Sequence, residues 1–249
     1  MSLGPWGAGP GRAGPGDTVP LPPMPAAPLI DLQGVWVRYP GAAQAALGPA
    51  NLAVGHAELL TVTGPAGSGK STLLSVIGLL RRPSAGRYLL NGIDTAALGD
   101  GDLAALRGRH IGWIFQRPQL VAVRTALDNV AIPLLYSGMA RAQRRDAAAA
   151  ALDRVGLAGA GMVCAGRLSA GQQQAVAVAR AIVTEPNLLL CDEPAASLDQ
   201  AAAARIIGLL SSLRSAGTAV LIASAGQLPA VPGSRRISLG AAGIRPGTR

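Results

Sequence analysis

Residues 64–72 read Gly-Pro-Ala-Gly-Ser-Gly-Lys-Ser-Thr, and their reading decides the fold. They match the G-x-x-x-x-G-K-[ST] pattern in full, with the apolar run "LLTVT" at 59–63 before them and a helical stretch over 71–80 after them. Strand, glycine-rich turn and helix in that order make a phosphate cradle. Gly64, Gly67 and Gly69 let the backbone wrap closely and point N–H groups inward, while Pro65, Ala66 and Ser68 complete the loop. The helix N-terminus adds a favourable dipole for an anion. Lys70 reaches the terminal phosphates as a compact point charge, which a planar guanidinium does not imitate. Ser71 closes the motif and supplies a ligand for Mg²⁺, and Thr72 follows it. The composition sets Lys70 apart: 21 of the 22 basic residues are arginine, so the one lysine marks a place where arginine does not serve.

A second component lies at 188–194, "LLLCDEP". An apolar strand ending in Asp-Glu carries two carboxylates to the carboxyl edge of a sheet, where ligands bind in open α/β folds. Asp192 suits the surroundings of Mg²⁺, and Glu193 suits a base that polarises an attacking water. A third apolar strand, "VLIASAG" at 220–226, ends at that same kind of edge with only Ser224, Ala225 and Gly226, side chains of little chemical reach.

The 249 residues are 49% hydrophobic, enough for a substantial core. The formal charge is +9, but the arginines are scattered, without a dense basic helix or aromatic platform, so nucleic-acid binding is not expected. Cys164 and Cys191 form neither a metal pattern nor a disulfide framework, which fits a reducing compartment. No run of 18 uncharged apolar residues is present, so no membrane span is expected, and the N-terminus lacks the charged and apolar regions of a signal peptide. Residues 1–28 hold six glycines and eight prolines and read as a disordered tail.

Order is expected to begin with a strand at 29–32. Helices follow over 141–155, ended by Gly156, and over 199–214, stopped at Gly217; one further strand after residue 235 precedes a frayed end at 241–249. Strands alternating with helices argue for an α/β fold with a mostly parallel sheet.

Between the phosphate loop and the last helix lies "LSAGQQQAVAVARAI", residues 168–182. With the loop and "CDEPAASLD", it resembles the ATP-binding subunits of ABC transporters across residues 29–240. Residues 115–139, "FQRPQLVAVRTALDNVAIPLLYSGM", are most similar to the subgroup serving lipoprotein-releasing, macrolide-export and FtsX-type permeases. The resemblance implies a P-loop, RecA-like ATPase core with a small antiparallel β subdomain and an α-helical subdomain at about 117–180. It implies head-to-tail pairing with a second ATP-binding subunit, identical or different, on an integral-membrane permease at the cytoplasmic face of the cell membrane. It also assigns roles. Tyr39 stacks on adenine, and Gln116 senses the γ-phosphate and Mg²⁺. Ser169, Gly171 and Gln172 cap the partner's γ-phosphate, and Asp199 sits across the dimer seam.

Three departures from the family pattern matter. Ala170 stands where the signature has glycine, at a cost of roughly 1–2 kcal/mol if that position is left-handed. Ala175 replaces the arginine three residues after the signature glutamine, removing a polar tie. Ala225 takes the place of the histidine that contacts the γ-phosphate in Thr-His-Asp, and His56 and His110, read as exposed loop or edge residues, are not placed to substitute. Slow hydrolysis with firm ATP binding is therefore expected, the alternatives being a non-hydrolytic ATP-gated clamp or a degenerate partner beside an intact subunit.

Overall fold

The computed structural model describes residues 27–246 apart from 216, 227–230, 232, 241 and 242. The expected tail therefore lies outside the described residues up to position 26, as do positions 247–249.

Two sheets build the chain. β1 (Ile30–Val37), β2 (Leu47–Val54), β4 (Ala85–Leu90) and the two-residue β5 (Ile93–Asp94) form an antiparallel sheet in the order β2-β1-β4-β5. β1 alternates buried with partly exposed side chains, apart from a break at Gln33-Gly34, the pattern of a sheet with one face on the core. The second sheet has six strands in the order β10-β9-β3-β8-β7-β6. Here β3 (Leu59–Thr63), β6 (Ile111–Ile114), β7 (Leu188–Asp192), β8 (Ala219–Ser224) and β9 (Arg235–Gly240) run parallel. β10 (Gly243–Pro246), within the stretch 241–249 expected to fray, pairs antiparallel with β9 as an edge strand, while 241, 242 and 247–249 lie outside the described residues.

The parallel sheet is the middle layer. Leu188 and Leu190 of β7, and Ala219, Leu221 and Ala223 of β8, face a core shared with the antiparallel sheet and with α1 (Lys70–Ile77). Leu189, Cys191, Val220 and Ile222 face the opposite core, closed by α5 (Ala170–Ile182) and α6 (Gln200–Ser215). Burial on both faces is why these strands read as unbroken apolar runs.

α1 stops three residues before the expected end. Gly78 caps it, because a Cβ there would lie 2.0 Å from the Trp113 ring, and Leu79 turns left-handed at φ 57°. α2 (Asp100–His110) was not expected from the pattern, since only Leu103 of its residues is buried. Its first turn carries Asp100 and Asp102 and its last carries Arg107, Arg109 and His110, the charge order that complements a helix dipole. The helical subdomain comprises α3 (Ala126–Ala131), α4 (Arg141–Arg154) and α5, joined by short 3-10 turns. Among the described residues no helix is long and apolar enough to cross a membrane.

Candidate functional site

Parallel register brings the chemistry to one edge. Thr63, the residue before the phosphate loop, is paired with Ser224; Ala223 is paired with Asp192, and Cys191 with Ile114. The carboxyl ends of β3, β8, β7 and β6 therefore lie side by side. They deliver, in that order, the phosphate loop, Ser224-Ala225, Asp192-Glu193 and Phe115-Gln116.

The loop is closely packed from behind. A Cβ on Gly64 would meet the Leu239 carbonyl oxygen at 2.3 Å, and one on Gly69 the Ala46 carbonyl oxygen at 2.2 Å, with Gly69 also left-handed at φ 95°. Backbone passes too near for any side chain at either position. Pro65, Ala66 and Gly67 face solvent. Lys70, the first residue of α1, is 6% exposed, and its ammonium donates to the carbonyls of Gly64 (2.8 Å) and Pro65 (3.0 Å). The lysine thus braces the loop across its own mouth, with its charge at the cradle. The Ser68 hydroxyl is enclosed there with no hydrogen-bond partner among the described residues. Ser71 is exposed at the start of α1, whereas Thr72 is buried.

Tyr39 lies between β1 and β2, 37% exposed, with its hydroxyl 3.3 Å from Thr72 Oγ1. The Arg81 guanidinium lies over its ring, 4.1 Å from the centroid, so one face of the aromatic is covered by a cation. Arg81 was not singled out from sequence, because nothing in its spacing shows that α1 returns it to β1.

Asp192 closes β7 and Glu193 follows in left-handed backbone at φ 50°. The Glu193 N–H donates to the Ala223 carbonyl at 2.9 Å, which turns its side chain across the end of β8. There the Ala225 N–H donates to Glu193 Oε1, and the Ser224 hydroxyl donates to Oε2 at 3.3 Å. Burial and the Asp192 carboxylate together push the neighbouring Cys191 thiol up, keeping it neutral. Hydroxyl and carboxylate oxygens are the hard donors Mg²⁺ takes beside substrate phosphates. Ser71 and Asp192, on adjoining carboxyl-edge elements, fit that ion, with the exposed Gln116 two strands away from β8.

The signature segment begins α5. Ser169 caps α5, accepting from the Gln172 N–H at 3.3 Å, while Gln172 Oε1 accepts from the Ser169 N–H at 2.9 Å. Gly171 lies against Ala202 in the first turn of α6, whose cap is Asp199, accepting from the Ala202 N–H at 2.8 Å. Ala170 takes helical backbone as the first residue of α5, so its methyl group brings no left-handed strain. Ala175 is packed in the core, and polar ties come from its neighbours instead. Gln174 donates to the Phe115 carbonyl at 3.3 Å; Arg180 donates to those of Pro118 and Gln119, each at 2.7 Å. Burial draws the Arg180 pKa below the ordinary arginine value.

Both histidines differ from expectation in exposure, being half-buried. His56 has an enclosed Nε2, and His110 Nδ1 lies 2.8 Å from Asn187 Oδ1. They precede β3 and β6, at the amino ends of the strands, opposite the site.

Residues 47–196 match the family model described as ABC transporter. The macrolide export ATP-binding/permease protein MacB of Chromobacterium violaceum is 44% identical over 195 residues, 78% of this chain and 30% of that protein. An ABC transporter ATP-binding protein of Bacillus subtilis, YknY, is 42% identical over 172 residues, 69% of this chain and 75% of that one. The chain thus spans less than a third of the MacB relatives it matches. Among solved structures, the dimeric cassette MJ0796, described in a post-hydrolysis state bound to ADP and Pi, aligns with TM-score 0.77 at 33% identity. It covers 85% of this chain and 94% of its own. The chain belongs to the ABC transporter family, as an ATPase cassette of that family.

Proposed function

We propose that the chain is the ATP-binding subunit of a transporter. It binds Mg–ATP at the carboxyl edge of the parallel sheet, and hydrolysis there drives a separate integral-membrane permease from the cytoplasmic face of the membrane. The observation carrying this reading is the convergence of the Lys70 cradle with Asp192 and Glu193 at one sheet edge, on strand ends separated only by β8. Backbone N–H groups of Gly64–Thr72 and the Lys70 ammonium hold the phosphates. Ser71, Gln116 and Asp192 hold Mg²⁺, which neutralises charge on the phosphates when bound. Glu193 orients and polarises the attacking water, and Tyr39 offers its uncovered face to adenine. Ser169, Gly171 and Gln172 of a second subunit, identical or homologous, close over the γ-phosphate, with Asp199 at the seam. The MacB relatives are named as macrolide exporters, which favours export as the direction of work.

Hydrolysis at this site is slow, because Ala225 offers no side-chain donor to the γ-phosphate. One aligned transition-state donor supplies on the order of 10²–10³ in rate. Ground-state binding is much less affected, since the cradle, Lys70 and Mg²⁺ make most of the contacts.

The test uses the purified full chain with MgATP. Lys70→Ala is expected to weaken nucleotide binding at least about tenfold, and Glu193→Gln to leave binding intact while abolishing turnover. Undiminished turnover by Glu193→Gln would rule out the carboxylate as base. Ala225 also favours a second reading, the non-hydrolytic clamp or degenerate heterodimer partner. In that reading Glu193→Gln leaves transport by the assembled complex unchanged.

A further inference from the structure

The Glu193 carboxylate is held from both of its oxygens by the strand end that lacks the family's histidine. Oε1 accepts from the Ala225 N–H and Oε2 from the Ser224 hydroxyl at 3.3 Å. Ser224 is 4% exposed and lies in register with Thr63, so it sits between the phosphate-loop strand and the glutamate. Its hydroxyl oxygen also accepts from the Gly226 N–H at 3.3 Å. The single hydroxyl proton has two acceptors in reach, Glu193 Oε2 and the Gly226 carbonyl at 3.2 Å. An ionised carboxylate is the stronger of the two.

We infer that Ser224 is a positioning residue for ATP hydrolysis, fixing the plane of the Glu193 carboxylate together with the Ala225 N–H. The inference rests on Glu193 being the base. A carboxylate has about four lone-pair sites. Two are engaged by the end of β8, and among the described residues no other hydrogen bond to the carboxylate is found, which leaves sites for a water. The left-handed backbone at Glu193 makes this possible, because it carries the side chain sideways to β8 rather than onward along β7. Such backbone strain gathers at functional sites that the surrounding structure over-determines. Positioning matters because small displacements of a reacting group lower rate sharply. The 3.3 Å separation is long for an O–H donor, as hydrogen bonds in nucleotide-free catalytic sites commonly are. Ala225 contributes through its N–H alone, so this hold survives the loss of the histidine side chain.

The experiment compares wild type, Ser224→Ala, Ser224→Thr and Glu193→Gln as purified full chains, by steady-state and single-turnover ATP hydrolysis, nucleotide binding and thermal denaturation. Ser224→Ala is expected to lower kcat about tenfold, with KM and ATP affinity within twofold of wild type. Ser224→Thr, which keeps the hydroxyl, is expected to recover most of the rate. Should Ser224→Ala fail to fold, Ser224→Cys keeps the size with a weaker donor and is expected to show the same loss of kcat. An unchanged or raised kcat in Ser224→Ala, or a Thr variant as slow as Ala, overturns the inference. If Glu193→Gln is inactive in that case, the base reading still stands. If Glu193→Gln turns over normally, the base reading falls and this inference with it.

Discussion

At position 225 a methyl group stands exposed at the carboxyl end of β8, with its N–H already spent on the Glu193 carboxylate. A side chain added there does not disturb that bond, since the donor is backbone. Ala225→His is therefore expected to raise kcat at least about tenfold, toward the 10²–10³ that one aligned donor supplies, with little change in ATP affinity. Turnover equal to wild type would mean that Ala225 is not what limits the rate. The same neighbourhood marks how far single residues were legible. Lys70 stood out because arginine took every other basic position, and Gly64 and Gly69 followed from the motif that the backbone carbonyls of Leu239 and Ala46 now explain. The hold on Glu193 was not legible, because it depends on one left-handed residue at the end of β7 and on two strands that are distant in sequence. Arg81 over Tyr39 was hidden for the same reason: its partner lies across a turn of which sequence gives no angle.

Among the elements, α5 has the widest mechanical reach. Its first turn is the signature, and its Gln174 and Arg180 tie it to 115–119, the segment that contains Gln116. The helical subdomain is in this way joined to the segment around Gln116 through backbone carbonyls. Gln119 itself is left-handed at φ 49°, so the loop depends on the arginine that grips it. Arg180→Ala removes two hydrogen bonds from a charged donor and leaves two carbonyls to find water. The expected cost is about 2 kcal/mol, read as a fall of roughly 5 °C in Tm, with a larger proportional loss of kcat than of ATP binding. An unchanged Tm would show that the two bonds contribute nothing net. The core strands were legible because they are buried on both faces, and 59–63 was placed to the residue. β2 was not, since Gly48, Pro49 and Asn51 interrupt its pattern; it is tolerated as the edge of the order β2-β1-β4-β5, where a proline costs no ladder bond. α2 was missed because a helix with one buried residue leaves almost no periodicity.

Under the proposed function the whole molecule presents half of a site. Pro65, Ala66, Gly67, Gln116 and Ala225 lie exposed on the carboxyl edge, while Ser169, Gln172 and Asp199 are exposed where α5 and α6 begin. Within one chain the signature engages its own capping box and lies against Ala202, and among the described residues no hydrogen bond joins it to Lys70. In the proposed head-to-tail pairing a second copy supplies what each lacks, and the nucleotide becomes part of the interface. Electrostatics point the same way. Two chains of formal charge +9 repel, and each bound triphosphate lowers that repulsion at the surface where they meet. Association is therefore expected to depend on nucleotide. Glu193→Gln with ATP should elute at twice the monomer mass, measured by light scattering, whereas the same variant without nucleotide or with ADP should remain monomeric. Ser169→Arg in that background fills the phosphate-capping surface with a long side chain and should return the ATP-bound protein to monomer without weakening binding at its own cradle. If Glu193→Gln stays monomeric with ATP while binding it tightly, the homodimer is excluded, and the second half-site has to come from a different subunit, whose addition should restore the doubled mass.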